Sequence, residues 1–546
     1  MKIQPTFDRR NFLRATGLFA AAGIVTAVAA CAPQDGTAGG STGDSTDTGA
    51  DQASGAANTD GTINAGISYE LGSNGYDPMT TSAALTIAAN WHTLEGLTEL
   101  DPATLETYNA LAAADPTKVD DTTWTVTLRD GATFHDGTPV TPEDVVYSFE
   151  RVLDPENASL YSQFIPFIDS VEATDDTTVT FTLAYPAGVF TERLSVVKIV
   201  PKAAVEADRD AFDAQPIGSG PYKLVDNGAG GTVKFERFEE YNGPRPALAA
   251  TMNWQVLADA TARVNALTSQ TVQAIDSVPY LDTETLAGQG ATVDSVQGFG
   301  LLFIMFNMGS EIWSDLRNRQ AVMYGIDLAK LVDNGLLGNG EAATSFLQST
   351  HPNYNEAKVV YDHDPEKAKA LLAESGLAGK SITITCTDHD WVKKCTPLIK
   401  EDLDALGLDV TLDEGQSAGV YTKIDSGPDA YEILVAPGDP SVFGNDPDLL
   451  MRWWLAGDVW TDQRMHWKGQ DSYEQMQTLL DEGLRAQDPA AQQQAWDQAF
   501  DLLSEEVPLY PLFHRSVPTA WDGETLVDFK PISLTGLSFE NVASTQ

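Results

Sequence analysis

Alternating apolar and polar residues mark several β-strands along the chain. The clearest alternation covers 123–135 and 177–186, and shorter runs occupy 381–386 and 408–414. A period of two places the apolar side chains on one face of a sheet. The pattern therefore predicts substantial β-structure from about residue 63 onward.

Helical periodicity separates these strands. In the stretch 140–153, Thr141 is a natural N-cap and Pro142 fits the first helical position, while Val145 and Phe149 share one face. Further helices are predicted at 316–338 with a break near Asp327, at 364–377, at 391–406, at 472–488 and at 489–507. The helix at 391–406 stands between two predicted strands and completes a βαβ unit, so the fold class is mixed α/β.

The first thirty residues have the pattern of an export signal. Lys2, Arg9, Arg10 and Arg14 are basic, and every residue from 15 to 30 is small or apolar. This apolar run is shorter than the about 20 residues of a membrane span, and threonines and glycines interrupt it, which favours a cleaved signal peptide. The sequence DRRNFLR resembles a twin-arginine export motif, but an ordinary Sec signal can also carry two arginines, so both export routes stay open.

Cys31 ends this run in the sequence VAAC, which resembles a bacterial lipobox. At such a site the thiol takes a diacylglycerol and the cysteine becomes the mature N-terminus; the alternative is a buried free cysteine. Residues 31–62 are rich in Gly, Ala, Ser, Thr and Asp, which predicts a flexible tether with an end-to-end distance of roughly 30 Å. We therefore expect a protein held by lipid at the outer face of the cell membrane.

Length and charge limit the function classes. The chain has 546 residues, 42% of them hydrophobic, so it can bury sizeable cores and should divide into at least two lobes. Its 33 basic residues against 79 acidic residues give a formal net charge of -46. Such a surface repels nucleic-acid phosphates and anionic lipid headgroups, so nucleic-acid binding and adhesion through a basic patch are excluded.

The remaining cysteines, Cys386 and Cys395, lie at a strand end and in the following helix. In an exported chain a disulfide between them is one alternative and two free thiols are the other. His389 is flanked by two aspartates, but no further residue of metal-ligand spacing is near, so this stretch is interpreted as a solvated loop. We expect neither a metal nor another cofactor.

Five stretches, taken in order, resemble one family. They are TWTVTLRDGATFHDGTPVTPEDVVYSFERVLDP from 123, PIGSGPYKL from 216, RNRQAVMYGIDLAKLV from 317, YDHDPEKAKALLAESG from 361 and EEVPLYPLF from 505. The chain is similar to the extracellular solute-binding proteins of ABC importers, oligopeptide/dipeptide type (solute-binding protein family 5). The likeness covers about 63–513, most of the mature chain.

The resemblance implies an α/β, two-lobed, periplasmic-binding-protein-like (type II) fold with an extra domain on the first lobe. Carried over, lobe I takes 63–105, 200–300 and 515–546, the extra domain takes 106–199, and lobe II takes 301–514, with chain crossings near 301–307 and 508–514. Such proteins close like a hinge on a solute and catalyse no reaction. The implied partners are a small solute and the permease and ATPase complex of an importer, and the chain is expected to be a monomer.

The resemblance also places an acidic anchor for a ligand's free amine within 431–454. Asp439 is the first candidate and Asp446 the second; the alternative is that these aspartates only initiate turns. No arginine stands just before the anchor, where some peptide binders use one to bind a carboxylate. Arg452 or Arg464 can take that role, although surface pairing with the many acids is the competing interpretation.

Aromatic residues cluster in the same region. Trp453, Trp454, Trp460 and Trp467 fall within fifteen positions, and core packing competes with the hypothesis that at least one of them faces a ligand. In lobe I, Tyr76 and the weaker candidate Trp91 are proposed for the opposite wall. The function expected from these features is peptide capture. An oligosaccharide is the alternative ligand, and a nickel chelate is a less favoured one.

Overall fold

The computed structural model describes residues 58–69, 71 and 75–546. Its strands are β1 (Thr62–Ile67), β2 (Thr98–Leu100), β3 (Thr107–Asn109), β4 (Thr117–Lys118), β5 (Thr123–Thr127), β6 (Ile168–Ala173), β7 (Thr178–Leu183), β8 (Tyr222–Asn227), β9 (Thr232–Arg237), β10 (Thr251–Val256), β11 (Ala274–Ile275), β12 (Thr292–Phe306), β13 (Gly340–Ala342), β14 (Ser381–Thr387), β15 (Asp409–Gly415), β16 (Ile433–Gly438), β17 (Leu509–Trp521), β18 (Leu526–Val527) and β19 (Ala543–Ser544). The predicted strand content is confirmed.

The helices connect these strands in a mixed α/β arrangement. They are α1 (Ala84–Thr93), α2 (Pro142–Leu153), α3 (Phe190–Arg193), α4 (Lys202–Ala207), α5 (Arg209–Ala214), α6 (Ala260–Thr268), α7 (Thr283–Gly288), α8 (Glu311–Ser314), α9 (Leu316–Gly325), α10 (Leu328–Lys330), α11 (Pro365–Ser375), α12 (Val392–Ala405), α13 (Ser417–Ile424), α14 (Pro447–Leu455), α15 (Asp471–Arg485) and α16 (Pro489–Glu506). Within the described part of the chain, none of them is long and apolar enough to cross a membrane.

Local sequence signals account for the helices that were predicted. Thr141 caps α2 and forms a capping box with Asp144, since each side chain bonds the other's backbone N–H. Gly376 ends α11 in the left-handed conformation at φ 79°. The predicted break at Asp327 is confirmed because Asp327 caps α10, so that α9 stops two residues earlier.

One large mixed sheet organises the fold. Its eleven strands follow the order β15-β14-β16-β12-β17-β11-β1-β10-β9-β8, with β13 paired to β17. The central strands β12 and β17 are long, 15 and 13 residues, and pair with each other in an antiparallel manner. Strands β14, β15 and β16 lie on one side of this pair, and strands β1, β8, β9, β10 and β11 lie on the other. The predicted βαβ unit is confirmed, because β14 and β15 are parallel and α12 connects them.

The segment 106–199 carries a separate four-stranded sheet, in the order β4-β5-β7-β6. Its apolar face joins the largest core cluster, which also contains side chains of the segment 301–514, such as Phe181 from the first and Trp454 from the second. A second core cluster surrounds Trp254 and Phe539. The buried side chains therefore couple the 106–199 segment to the 301–514 segment.

The glycine-rich turn before β8 permits a close backbone approach to the end of α1. A Cβ atom on Gly218 would stand 1.8 Å from the carbonyl oxygen of Thr93, and one on Gly220 would stand 2.7 Å from the carbonyl carbon of the same residue. The backbone N–H of Gly220 donates to that oxygen at 3.1 Å. Only glycine fits at these two positions. Close backbone packing therefore explains why the turn is rich in glycine, and no bound ligand is needed to explain it.

Candidate functional site

Asp439 stands at the carboxyl end of β16, where the chain turns into a short 3-10 helix. One carboxylate oxygen accepts from the backbone N–H of Ser441 at 3.3 Å and from its hydroxyl at 2.5 Å. The other oxygen, Oδ2, is buried and has no hydrogen-bond partner in the described part of the chain. Burial raises the pKa of Asp439 to about 6, although the Ser441 hydrogen bond and the positive charge of Arg515 act in the opposite direction.

Arg515 lies on β17 and is only 5% exposed. Its guanidinium stacks on the ring of Trp391, 4.8 Å from the ring centroid, and lies against the hydroxyl of Tyr280. Tyr69 is close enough to interact electrostatically with the same charge. The carboxylate of Asp439 is among the charges that raise the pKa of Arg515. These neighbours come from both sides of the central strand pair, because Tyr69 follows β1 and Tyr280 follows β11, whereas Trp391 follows β14.

Gly300 lies on β12, beside Asp439. Leu301 pairs with Gly438 of β16 and with His514 of β17, and the register with β17 is irregular between Gln297 and Leu301. A Cβ atom on Gly300 would stand 3.3 Å from Oδ2 of Asp439. The lack of a side chain at Gly300 therefore leaves the unpartnered oxygen uncovered from that direction.

Asp446 and Arg452 already have partners within the protein. Arg193 donates to both carboxylate oxygens of Asp446, at 2.9 and 2.6 Å, and to Asp448 at 2.8 Å. Arg452 donates to Asp448 at 2.9 Å and to Asp481 at 3.2 Å. Asp446 joins α14 to the 106–199 segment, and Arg452 belongs to the same buried ion-pair network; the prediction of both residues as ligand contacts stays a prediction.

Arg464 is also paired inside the protein. It donates to Asp425 at 2.7 and 3.0 Å and stacks on the rings of Tyr421 and Trp460. Arg464 therefore has the pairing with an acidic residue that the sequence offered as the competing interpretation.

The tryptophans of this region are packing residues. Trp454 and Trp467 are fully buried, and Trp467 Nε1 donates to Ser472 at 2.8 Å. Trp453 is half-buried but stacks on Phe164, with ring centroids 6.2 Å apart. Each of these rings contacts the protein itself, and the prediction that one of Trp453, Trp454 and Trp467 faces a ligand stays a prediction.

The two lobe I candidates differ in their surroundings. Tyr76 is fully buried and its hydroxyl donates to the carbonyl of Asn227 at 2.9 Å, while its predicted contact with a ligand stays a prediction. Trp91 lines a cavity of about 40 Å³ together with Tyr161 of the 106–199 segment and Phe443 of lobe II. This volume holds only a few water molecules. It is a gap between the parts of the protein and is too small for a whole peptide.

Both described cysteines are free, buried thiols, so of the two alternatives for Cys386 and Cys395 the structure has the unbridged one. Burial raises the pKa of each thiol to about 12. Among the described residues no group of three or more His, Cys, Asp or Glu is arranged to hold a metal ion. The lipid attachment predicted at Cys31 lies outside the described residues.

Sequence reasoning did not find Arg515, Tyr280, Tyr69, Trp391 or Gly300. One signal for Arg515 was available: it is the only charged residue in the thirteen-residue, largely apolar segment that forms β17. A charge within a buried strand needs a partner, and its presence in such a segment indicates a functional or structural ion contact. The other four residues lie in separate segments that only the tertiary fold brings together.

Comparisons with solved structures define the class of protein. The binding protein AgaA from A. tumefacien R10, solved in complex with agropinic acid, has 27% sequence identity and a TM-score of 0.78, covering 89% of this chain and 99% of its own. A dipeptide binding protein from Pseudoalteromonas sp. SM9913, in complex with Met-Leu, has 20% identity and a TM-score of 0.78, covering 88% and 100%. The fold is that of the two-lobed periplasmic binding proteins, as the sequence resemblance implied.

The family follows from sequence comparison. Residues 106–474 match the pattern of the bacterial extracellular solute-binding proteins, family 5 (middle). The glutathione-binding protein GsiB of Escherichia coli K12 is 25% identical over 474 residues, which cover 85% of this chain and 91% of that protein. The chain belongs to the bacterial extracellular solute-binding proteins of family 5. Proteins of this family are the solute-binding components of ABC importers and not enzymes.

Proposed function

We propose that this protein captures short peptides between its lobes and delivers them to the permease of an ABC importer. The observation that carries the proposal is the buried, unpartnered Oδ2 of Asp439. A carboxylate oxygen taken out of water without a partner is costly, and an ammonium group of a ligand would satisfy it with a charge-assisted hydrogen bond. The free amine of a peptide is such a group.

Two of the relatives support a peptide as the ligand class, while the structure of AgaA holds agropinic acid. GsiB is named as a glutathione-binding protein, and the Pseudoalteromonas structure is a dipeptide-binding protein with Met-Leu. The alternatives have less support here. A sugar platform would need exposed aromatic faces, whereas Trp454 and Trp467 are buried. A nickel chelate held by protein ligands would need a group that the described residues do not form.

The capture step we propose is hinge closure about β12 and β17. These central strands pair with each other over most of their length, while lobe I strands and lobe II strands lie on opposite sides of them. Small dihedral changes in two adjacent strands can move the halves of the sheet toward each other without breaking the lobes. The closed form would then present a continuous surface to the permease.

Chemical blocking of a peptide mixture tests this function. The body of the protein without residues 1–31 is titrated with an enzymatic casein digest and with the same digest acetylated at its amines, and the melting temperature is recorded. We expect the free digest to stabilise the protein, by about 2.7 kcal/mol at 100 times the dissociation constant. The acetylated digest should stabilise it much less. Equal shifts, or no shift with either mixture, would contradict the proposal.

We propose that a lipid on Cys31 holds the protein at the outer face of the membrane, through the tether at 31–62. Support comes from the position of Cys31 after an export-signal pattern. Each buried CH₂ of the acyl chains contributes about 0.8 kcal/mol, so two chains anchor firmly. The full chain expressed in a bacterium should sediment with membranes, and a Cys31→Ser chain should move to the soluble fraction. Identical fractionation of the two chains would exclude the anchor.

A further inference from the structure

A buried cluster of charged side chains joins the hairpin of β2 and β3 to two later parts of the chain. Arg245, between β9 and β10, donates to Asp101 at 2.7 Å and to Glu540 at 2.8 Å. Its guanidinium also lies over the ring of Tyr108, 3.7 Å from the ring centroid. Because Asp101 and Tyr108 belong to the hairpin and Glu540 lies between β18 and β19, one arginine connects the hairpin to the C-terminal segment.

The carboxylates of this cluster outnumber its cations. Asp101 and Glu540 share Arg245. Glu99 is paired with Lys198, so three acids face two bases. None of the five side chains is more than 20% exposed, and that of Glu540 is 7% exposed. A charge that is removed from water in this way is costly unless an opposite charge compensates it.

The groups around the cluster do not supply the missing positive charge. Arg129 is committed to Glu95, at 3.1 Å, and the hydroxyl of Tyr241 donates to the same carboxylate at 3.0 Å. His92 accepts the backbone N–H of Phe539 through Nε2 at 2.9 Å, and burial lowers the pKa of His92 to about 4, so its ring is neutral. The cluster therefore keeps one negative charge in excess whenever all of its carboxyls are ionised.

Glu540 is the carboxyl of this cluster with the weakest hydrogen bonds. Glu99 accepts from its own partner Lys198 and from a backbone N–H. Glu540 shares its arginine, and its other oxygen has only the hydroxyl of Tyr108, at 3.4 Å. Burial raises the pKa of Glu540 to about 7 against the positive charge of Arg245, and the negative charge of Glu99 adds to the rise. Geometry and charge therefore assign the excess proton of the cluster to Glu540.

We propose that Glu540 is a pH-sensitive switch at the joint between the β2–β3 hairpin and the C-terminal segment. When Glu540 carries a proton, the cluster is electrically balanced and the joint is tight. When the proton is lost to solvent, the additional buried charge repels the carboxylate of Glu99 and the joint loosens. Tyr108 belongs to the 106–199 segment, so the switch sets how firmly the beginning of that segment is held. This role does not depend on which solute the protein binds.

The stability test compares the native sequence with Glu540→Gln, which resembles the protonated acid but does not titrate. The pKa of Glu540 rises from an ordinary 4.5 to about 7, so its contribution to stability is complete below pH 4.5 and is lost as the pH rises through 7. Between pH 5 and pH 8 we expect the unfolding equilibrium constant of the native sequence to rise roughly 70-fold relative to that of the variant. Urea unfolding of both proteins at several pH values measures this ratio.

Hydrogen–deuterium exchange locates the effect. After correction for the intrinsic pH dependence of exchange, amides of 98–111 in the native sequence should exchange faster at pH 8 than at pH 6, because the joint opens more often. In Glu540→Gln the same amides should stay equally protected at both pH values. A role in folding alone would not produce this local, pH-dependent difference.

Two further variants complete the test. Glu239→Gln removes one negative charge from a glutamate with 69% side-chain exposure that pairs with Arg237, and it should keep the pH response of the native sequence. Glu99→Gln removes the carboxylate that repels Glu540, so it should move the pH response of 98–111 to lower pH even if Glu540→Gln fails to fold. A constant stability ratio between the native sequence and Glu540→Gln from pH 5 to pH 8 would overturn the proposal. So would an unchanged pH response of 98–111 in Glu99→Gln.

Discussion

Replacing Arg193 with methionine should lower the free energy of unfolding by about 3–5 kcal/mol, the usual cost of removing one partner from a buried ion pair. Arg193 has a side-chain exposure of 1%, and it binds Asp446 at 2.6 Å and Asp448 at 2.8 Å. It also donates to the backbone carbonyl of Phe164 at 2.6 Å. Methionine fills much of the same space but leaves all three acceptors without this donor.

The expected loss is large because of where the carboxylates lie. Asp448 is completely buried and keeps only Arg452 as a cationic partner in the variant. Burial disfavours the ionised form of Asp446, but the charge of Arg193 and its hydrogen bond outweigh this effect and hold the pKa of Asp446 below its usual range. Without Arg193 this carboxyl must either remain charged at a cost or take up a proton.

Urea unfolding followed by tryptophan fluorescence measures the effect. Arg317→Met is the matched control, since it also removes one positive charge, but from an arginine with 47% side-chain exposure that pairs with Asp315. Exposed pairs contribute at most about 1 kcal/mol. If both variants lost less than that amount, the Arg193 network would not hold the 106–199 segment to lobe II.

Local signals explain why much of the fold was predictable. The cap at Thr141, the terminal glycine of α11 and the βαβ pattern around α12 each depend on residues close in sequence. The order of strands in the main sheet does not depend on residues close in sequence, because β12 and β17 are separated by about two hundred residues yet lie side by side. Sequence motifs placed these strands only through a family resemblance.

The same distinction holds for the site. Asp439 was proposed through the family resemblance, which places an acidic anchor in an Asp-, Pro- and Gly-rich stretch after a strand. The ion pair of Arg452 could have been predicted, because its partner Asp448 lies four residues earlier, the spacing at which helical side chains form ion pairs. The sequence does not show that Arg515 lies near Asp439. Their strands, β17 and β16, are distant in the chain, and only the tertiary fold places them on the two sides of β12.

Replacing Asp439 with asparagine should weaken peptide binding and change how stability depends on pH. Removing the charge of a buried, hydrogen-bonded partner costs about 2–5 kcal/mol of binding free energy, or roughly 30- to 4,000-fold in affinity at 1.4 kcal/mol per tenfold change. The free casein digest should therefore stabilise the variant far less than the native sequence. Asp458→Asn, at an exposed carboxylate paired with Lys468, should leave binding unchanged.

The pH effect has a definite sign, because burial raises the pKa of Asp439 from an ordinary 3.8 to about 6. Below pH 3.8 the carboxyl is protonated in both the folded and the unfolded chain, and this contribution to stability is complete. As the pH rises toward and through 6, the unfolded chain has already lost its proton and the folded protein must lose one as well, so the native sequence loses up to about 3 kcal/mol.

Asparagine does not titrate, so the unliganded Asp439→Asn protein should gain stability relative to the native sequence as the pH rises from 4 to 7. Between pH 4 and pH 7 this gain should be about 2.4 kcal/mol, and a constant offset in stability from the buried amide does not change it. Unfolding free energies of both proteins at several pH values measure this difference. A difference that stays constant across the range would mean that Asp439 titrates normally, and that its carboxylate is not held in a dry site prepared for an amine.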